Sequence, residues 1–300
     1  MQLVIQEACA HTLDNSPKKA AFKMSKLITA CIQMRASDDV VENTDIASGL
    51  IAEAASQGAQ LITTPEMTNI MDIRRGAMRE KAVTEKEDKC LAVLRDQAER
   101  LGVWLLIGSL GLKLDEKQRV NRSFLISPAG EIKARYDKIH MFDVDVGDGQ
   151  SYRESKAYRA GQTAVVVKAG EALVGLSICY DVRFAKLYRT LAHAGAQILT
   201  VPAAFTRVTG EAHWHVLLRA RAIETGSFVV APAQGGKHAD GRETYGHSLI
   251  VNPWGEVIAE GGVEPGIVMA ELELDEVARA RQKIPSLTHD REFDLVRLDD

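Results

Sequence analysis

Apolar positions along the chain alternate between two spacings. Short runs rich in apolar and β-branched residues, beginning with LITACIQM at Leu27, predict strands. Further runs of this kind occur at Leu61-Ile62 and over 103–108. Between them, apolar residues recur every three or four positions. Ile46, Leu50, Ile51 and Ala54 predict a helix over 46–56, ended by Gly58; Leu91, Leu94, Ala98 and Leu101 predict another, ended by Gly102. A hairpin fits 121–127 and 131–136 around the turn Pro128-Ala129-Gly130.

The second half repeats this order. Strands are expected over 164–167 and 173–179. A helix carrying Phe184, Leu187, Tyr188, Leu191 and Ala192 follows, with Asp181 as its cap and Gly195 as its stop. A strand over 198–201 leads to a helix over 211–224, expected to turn Val216, Leu217, Ala220 and Ile223 inward. Strands over 228–231, 247–251 and 267–272 and a helix over 275–283 complete the pattern. The octapeptide Gly58-Ala59-Gln60-Leu61-Ile62-Thr63-Thr64-Pro65 is echoed by Gly195-Ala196-Gln197-Ile198-Leu199-Thr200-Val201-Pro202. Each reads as a helix end, a strand and a proline. Alternating strands and helices in two echoing halves imply an α/β fold with two sheets covered by helices, four layers in all. Residues 24–300 read as one domain, and the mixed, polar residues 1–23 as a flexible extension.

Composition narrows the function classes. With 46% hydrophobic residues among 300, the chain can bury a large core. A net charge of −4, from 37 basic and 41 acidic residues, gives no reason to expect nucleic acid or an anionic membrane surface as partner. No run approaches 18 apolar residues, and the first 23 lack the layout of a secretory signal. Cys9, Cys31, Cys90 and Cys179 show no paired spacing, which fits reduced thiols in a cytoplasm better than disulfides or zinc.

Three strand ends carry candidate chemistry. Cys179 closes a strand just before a helix, where the helix dipole is expected to favour thiolate. The sharp strand-to-helix turn would present the sulfur as a nucleophile. Glu66 follows Pro65 in apolar surroundings that are expected to raise its pKa and suit it to general-base work. Lys138 ends the second strand of the hairpin. Taken singly, a buried core cysteine, a solvated glutamate and a surface lysine are the commoner explanations. His213 and His215, two apart on a helix, point to different sides, and no HExxH, GxGxxG or phosphate-loop pattern is present. No metal and no cofactor are expected.

Thr64-Pro65-Glu66, Tyr136-Asp137-Lys138-Ile139-His140 and Ser177-Ile178-Cys179-Tyr180-Asp181-Val182-Arg183-Phe184 resemble, in this order, the glutamate, lysine and cysteine motifs of the nitrilase superfamily. The resemblance runs from about Met24 to the end of the chain. Residues 142–155 resemble the family segment bearing a second glutamate, here Glu154. Residues 209–224, with Gly235-Gly236-Lys237-His238 and Tyr245-Gly246-His247-Ser248, look like the branch that includes deaminated-glutathione amidase and omega-amidase, leaning toward the former. Ala185 and Lys186 depart from that branch's usual Pro and Glu, which is expected to adjust the helix start and leave the chemistry intact.

The resemblance implies the four-layer α-β-β-α sandwich of the nitrilase type and an amidase acting through a cysteine thioester. Glu66 would take the Cys179 proton, then protonate departing ammonia and activate water. Lys138 and the Tyr180 main-chain N–H would hold the oxyanion, and Glu154 would orient Lys138 or the substrate amide. Arg183, four residues beyond Cys179, is expected to lean over the pocket and grip a substrate carboxylate. Phe205 and Thr209, beyond the Pro202 strand end, are expected to line the same pocket. The partner is a small-molecule amide, and a homodimer or larger homo-oligomer is implied, with residues 183–193 and the C-terminal tail at the interface. An omega-amidase acting on 2-oxo dicarboxylate monoamides and a catalytically inactive partner-binding scaffold are the competing readings.

Overall fold

The computed structural model describes residues 26–72, 74, 80–146 and 151–298. The extension expected over 1–23 lies outside the described residues, as do 147–150 of the segment leading to Glu154.

The first sheet takes β1 (Lys26–Gln33), β2 (Leu61–Thr63), β3 (Trp104–Lys113), β4 (Arg119–Ile126) and β5 (Ile132–Asp137). A two-stranded ribbon, β6 (Asp143–Asp145) and β7 (Ser151–Arg153), follows. The second sheet takes β8 (Val165–Ala169), β9 (Ala172–Leu176), β10 (Ile198–Thr200) and β11 (Phe228–Ala231). A second ribbon, β12 (Gly235–Lys237) and β13 (Glu243–Tyr245), precedes β14 (Leu249–Val251), β15 (Val257–Glu260) and β16 (Gly266–Glu273). The last strand returns to the first sheet, whose order is β16-β1-β2-β3-β4-β5, and the second sheet runs β15-β14-β11-β10-β9-β8. In each sheet three central strands are parallel and the outer pairings antiparallel. The echoing octapeptides carry β2 and β10, the middle strand of each parallel trio, so the two halves are built alike around equivalent positions.

Side-chain parity explains the layering. Ala30 and Ile32 of β1, Ile62 of β2, and Leu105 and Ile107 of β3 pack against Ala47, Ile51 and Ala54 of α1 (Val40–Ser56) and Leu94 and Ala98 of α2 (Lys89–Leu101). The intervening Cys31, Leu61 and Leu106 face the other way, onto the second sheet's Val174, Leu176 and Ile198. A strand that is apolar on both faces needs cover on both sides, and here a helix layer supplies one and the second sheet the other. The far side of the second sheet is covered by α3 (Ala185–His193) and α4 (Arg207–Thr225) through Leu187, Tyr188, Trp214 and Leu218. The last helix, α5 (Asp275–Lys283), has the bounds expected from the sequence.

Several helix details differ from expectation. α1 starts earlier because Asp39 caps it, accepting from the Val41 and Glu42 N–H groups. α4 starts at Arg207, capped by Thr206, and buries Trp214, Leu218, Arg221 and Ala222. The expected inward residues are out of phase: Val216 and Ile223 are 68% and 55% exposed, and Leu217 and Ala220 only half-buried. Trp214 sets the phase, fully buried and donating its indole N–H to the His247 carbonyl at 2.8 Å.

Candidate active site

Glu66, Lys138 and Cys179 come from three strand ends in two sheets and meet on the wall of a cavity of about 1090 Å³. Glu66 follows β2, Lys138 follows β5 and Cys179 follows β9. Gly108 of β3 allows the approach, since a Cβ there would stand 1.9 Å from the Thr64 carbonyl oxygen and 2.6 Å from Pro202 Cβ. A side chain at this position would therefore push the two strand ends apart.

The expected strand over 173–179 stops at Leu176, and the chain makes a separate 3₁₀ turn, Cys179–Arg183, before α3 begins at Ala185. Asp181 is therefore inside this turn and does not cap α3, whose N-cap is Phe184 without a side-chain bond. Fully buried, Asp181 fastens the cysteine turn to the lysine strand end. Its Oδ2 accepts from the Ile178 N–H at 2.8 Å and from Tyr136 Oη at 2.7 Å, and its Oδ1 accepts from the His140 N–H at 3.0 Å. Cys179 sits in the left-handed region at φ 48°, uncommon for a non-glycine residue and a way to turn its side chain out of the strand line. The Cys179 N–H donates to the Pro202 carbonyl and the Asp181 N–H to the Ile178 carbonyl. Between them, the Tyr180 N–H has no main-chain acceptor among the described residues, as befits the start of a helical turn.

Lys138 is 2% exposed. Its Nζ donates to Glu66 Oε1 at 2.9 Å and to Glu154 Oε2 at 2.9 Å. Glu66 Oε1 also accepts from Asn121 Nδ2 at 2.9 Å, and its Oε2 from the Ala204 N–H at 2.9 Å. Glu154 accepts from Asn121 and from the Phe142 N–H. One lysine thus sits between two carboxylates, and each carboxylate is further fixed by neutral donors.

This geometry corrects two electrostatic expectations. Burial pushes the Glu66 carboxyl upward, but the Lys138 charge and the hydrogen bonds of Lys138, Cys179 and Asn121 outweigh it and hold Glu66 below the usual carboxylate range. The Cys179 thiol is pushed well up, first by burial and then by the Glu66 charge, and Lys138 offsets only part of this. The short turn and the buried carboxylate prevail over any helix dipole. The resting charges are therefore neutral thiol, carboxylate and ammonium. Burial pushes Cys31 and Cys90 up to about 12 as well. What distinguishes Cys179 from them is its setting: it lines the cavity beside the Glu66 carboxylate, whereas they do not reach the cavity lining.

Phe205 and Thr209 line the cavity as expected. Arg183 and Tyr180 are not among the residues lining it. The Arg183 guanidinium lies over the Tyr180 and Phe205 rings, and its Nη1 is 3.3 Å from His213 Nδ1. Tyr180 packs edge-on against Phe142 and Phe184. The parts played by Asn121, the Ala204 N–H and the Asp181 tie are not evident from the sequence. Asn121 does leave a signal: with Ser123 and Leu125 it shares the inter-sheet face of β4, where a polar amide is out of place. As for metal donors, His215, His247 and Glu260 bring three atoms within 4.8 Å of one another among the described residues. Both rings hydrogen-bond to the same Glu260 Oε1, at 2.9 and 2.8 Å, so the trio is already satisfied as a hydrogen-bonded cluster.

The family pattern described as Carbon-nitrogen hydrolase matches residues 28–282. A deaminated glutathione amidase of Synechocystis sp. is 41% identical over 274 residues, 89% of this chain and 98% of that protein. The crystal structure of the C. elegans NitFhit protein superposes with a TM-score of 0.83 at 33% identity, covering 89% of this chain and 66% of that one. A mutant of the amidase from Nesterenkonia sp. AN1, showing the result of Michael addition of acrylamide at its active-site cysteine, superposes with a TM-score of 0.73 at 29% identity, covering 86% of this chain and 98% of that one.

Proposed function

The chain belongs to the carbon–nitrogen hydrolase family and acts on amides, and from that premise we propose that it cleaves a small carboxylate-bearing amide, deaminated glutathione foremost, through a thioester on Cys179. The observation that carries this reading is the buried Glu66–Lys138 pair, joined by Glu154, beside a thiol that lines the cavity.

In this reading the thiol keeps its proton until substrate arrives. Because Glu66 favours the carboxylate and Cys179 the thiol, proton transfer is uphill in the resting site. It becomes downhill only as sulfur bonds to the amide carbon and negative charge passes to the carbonyl oxygen. Lys138 Nζ and the Tyr180 N–H receive that charge, an interaction worth about 100- to 1000-fold in rate per donor. Glu66 then gives its proton to the departing nitrogen and takes one from the water that hydrolyses the thioester. Deaminated glutathione is a peptide-like amide, so its leaving group is an amine, whereas a primary amide such as 2-oxoglutaramate releases ammonia. Asn121, hydrogen-bonded to both carboxylates, holds them apart around Lys138.

The name of the 41% identical relative and the size of the cavity support deaminated glutathione, since about 1090 Å³ accommodates a molecule of tripeptide size. The intact Cys179, Glu66 and Lys138 leave the inactive-scaffold reading without support. A homo-oligomer in a reducing cytoplasm completes the proposal. The C-terminal stretch exposes Phe293, Leu295, Val296 and Leu298 at 74–90%, apolar surface that a second copy would cover, and Cys31, Cys90 and Cys179 are all free thiols. The test is a substrate screen of the purified enzyme that follows both ammonia and primary-amine release. Deaminated glutathione is expected to give a kcat/KM at least about tenfold above 2-oxoglutaramate, simple amides and nitriles, in the range of about 10⁴ M⁻¹s⁻¹ or more. A higher value for 2-oxoglutaramate would assign an omega-amidase, and preference for nitriles would overturn the reading.

A further inference from the structure

Arg242 stands at the start of β13 and lines the cavity. Its main chain is held by the Arg242 N–H donating to Asp240 Oδ1 at 3.0 Å and the His238 N–H donating to the Arg242 carbonyl at 2.8 Å. The guanidinium is treated differently. Its Nε is buried with no hydrogen-bond partner among the described residues, and one Nη meets only the thioether of Met71, a weak acceptor. Its neighbour His238 offers the guanidinium no acceptor, since both ring nitrogens are engaged by the Ala36 carbonyl and Thr244 Oγ1.

Other arginines around the cavity are already committed. Arg74 pairs with Asp38 and Asp72, and Arg153 donates to the Val144 and Tyr152 carbonyls. Arg183 lies outside the lining, stacked over two rings. A buried guanidinium donor without an acceptor is costly, and such a group calls for an explanation. The explanation that fits its place in a reaction cavity is an anionic ligand, because a guanidinium edge matches a carboxylate through two parallel N–H bonds. We propose that Arg242 is the specificity-determining anion anchor of the cavity and binds a substrate carboxylate remote from the scissile amide, the role the sequence suggested for Arg183. This rests on the reading of the substrate as a carboxylate-bearing amide.

The experiment compares deaminated glutathione with its dimethyl ester in wild type, Arg242→Ala, Arg242→Lys and Arg183→Ala. In wild type the free acid is preferred. Arg242→Ala raises KM for the acid about 10- to 100-fold, the range for a charge-assisted hydrogen bond, with kcat changed less than about threefold and the ester unaffected. Arg242→Lys retains the charge without the fork and falls between, and Arg183→Ala leaves the preference in place. An acid preference that survives in Arg242→Ala overturns the anchor alone, and so does an equal loss on acid and ester. No acid preference in wild type overturns the carboxylate reading and the anchor with it. If Arg242→Ala does not fold, the acid-to-ester ratio of Arg242→Lys decides: unchanged from wild type, it overturns the anchor.

Discussion

Cys179→Ala is expected to lower kcat/KM by roughly 10⁴- to 10⁶-fold, the scale on which a covalent nucleophile is lost. The melting temperature is expected to move by no more than about 3 °C, equivalent to about 1 kcal/mol for a domain of this size. The two expectations follow from the same geometry. Cys179 lines the cavity, so the space left by its sulfur adjoins an existing one. Glu66 loses one hydrogen bond but keeps Lys138, Asn121 and the Ala204 N–H. The turn that positions residue 179 is held by Asp181 and the Pro202 carbonyl, neither of which depends on sulfur. Substitution of Cys31 or Cys90 reverses the pattern: both are fully buried in the cores, so stability falls and catalysis by the folded fraction remains. Turnover assays paired with thermal melts separate these outcomes. Activity retained by Cys179→Ala would remove the nucleophile assignment.

Lys138→Met carries the second large effect, and it acts on stability as well as rate. The variant keeps the stem and removes the charge that Glu66 and Glu154 share. Loss of one partner from a buried ionic cluster costs about 3–5 kcal/mol, and loss of the oxyanion donor lowers kcat by about 100- to 1000-fold. The stability loss depends on pH, and its sign is fixed by Glu66. In the wild type Glu66 lies below its ordinary value, so it contributes stability above the unfolded carboxylate range that is lost as pH falls through the folded value. Lys138 is raised, because Glu154 and Glu66 outweigh burial, so its contribution is present below the unfolded lysine value and is lost as pH rises through the folded one. Without Lys138, only neutral donors oppose the burial of Glu66, and its pKa rises. The variant therefore gains stability as pH falls from about 7 toward about 5, where the Glu66 contribution to the wild type is still complete, so the gap between their melting temperatures narrows; the wild type's own loss comes only below the unfolded carboxylate range. A gap constant over that window would show that the cluster does not hold Glu66 as a carboxylate.

The fold was legible because its strands stand out as short apolar runs and its helices as a three-to-four spacing, and because β2 and β10 carry nearly the same octapeptide. What misled was local. The phase of α4 depends on Trp214, whose indole needs the His247 carbonyl, a partner 33 residues away that periodicity does not reveal. Asp181 reads as a helix cap in one dimension, yet serves as a tie between two strand ends because the helix starts four residues later. The catalytic candidates were legible as an ordered set of strand ends, although no single member stood out. Their charge states were not, because the pKa of Glu66 depends on Lys138, 72 residues away. Arg183 drew attention through its closeness in sequence to Cys179. Arg242, far beyond Cys179 in the chain, reaches the cavity through a ribbon whose placement no local pattern specifies.

Cleavage through a thioester on Cys179 is tested most directly by quenching the enzyme in acid during turnover of deaminated glutathione and sequencing its peptides by mass spectrometry. The expected result is one acylated peptide, the one containing Cys179, heavier by the substrate less its departing amine and cleared by hydroxylamine. Acylation of a different residue, or turnover at an undiminished rate after Cys179 has been alkylated, would contradict it.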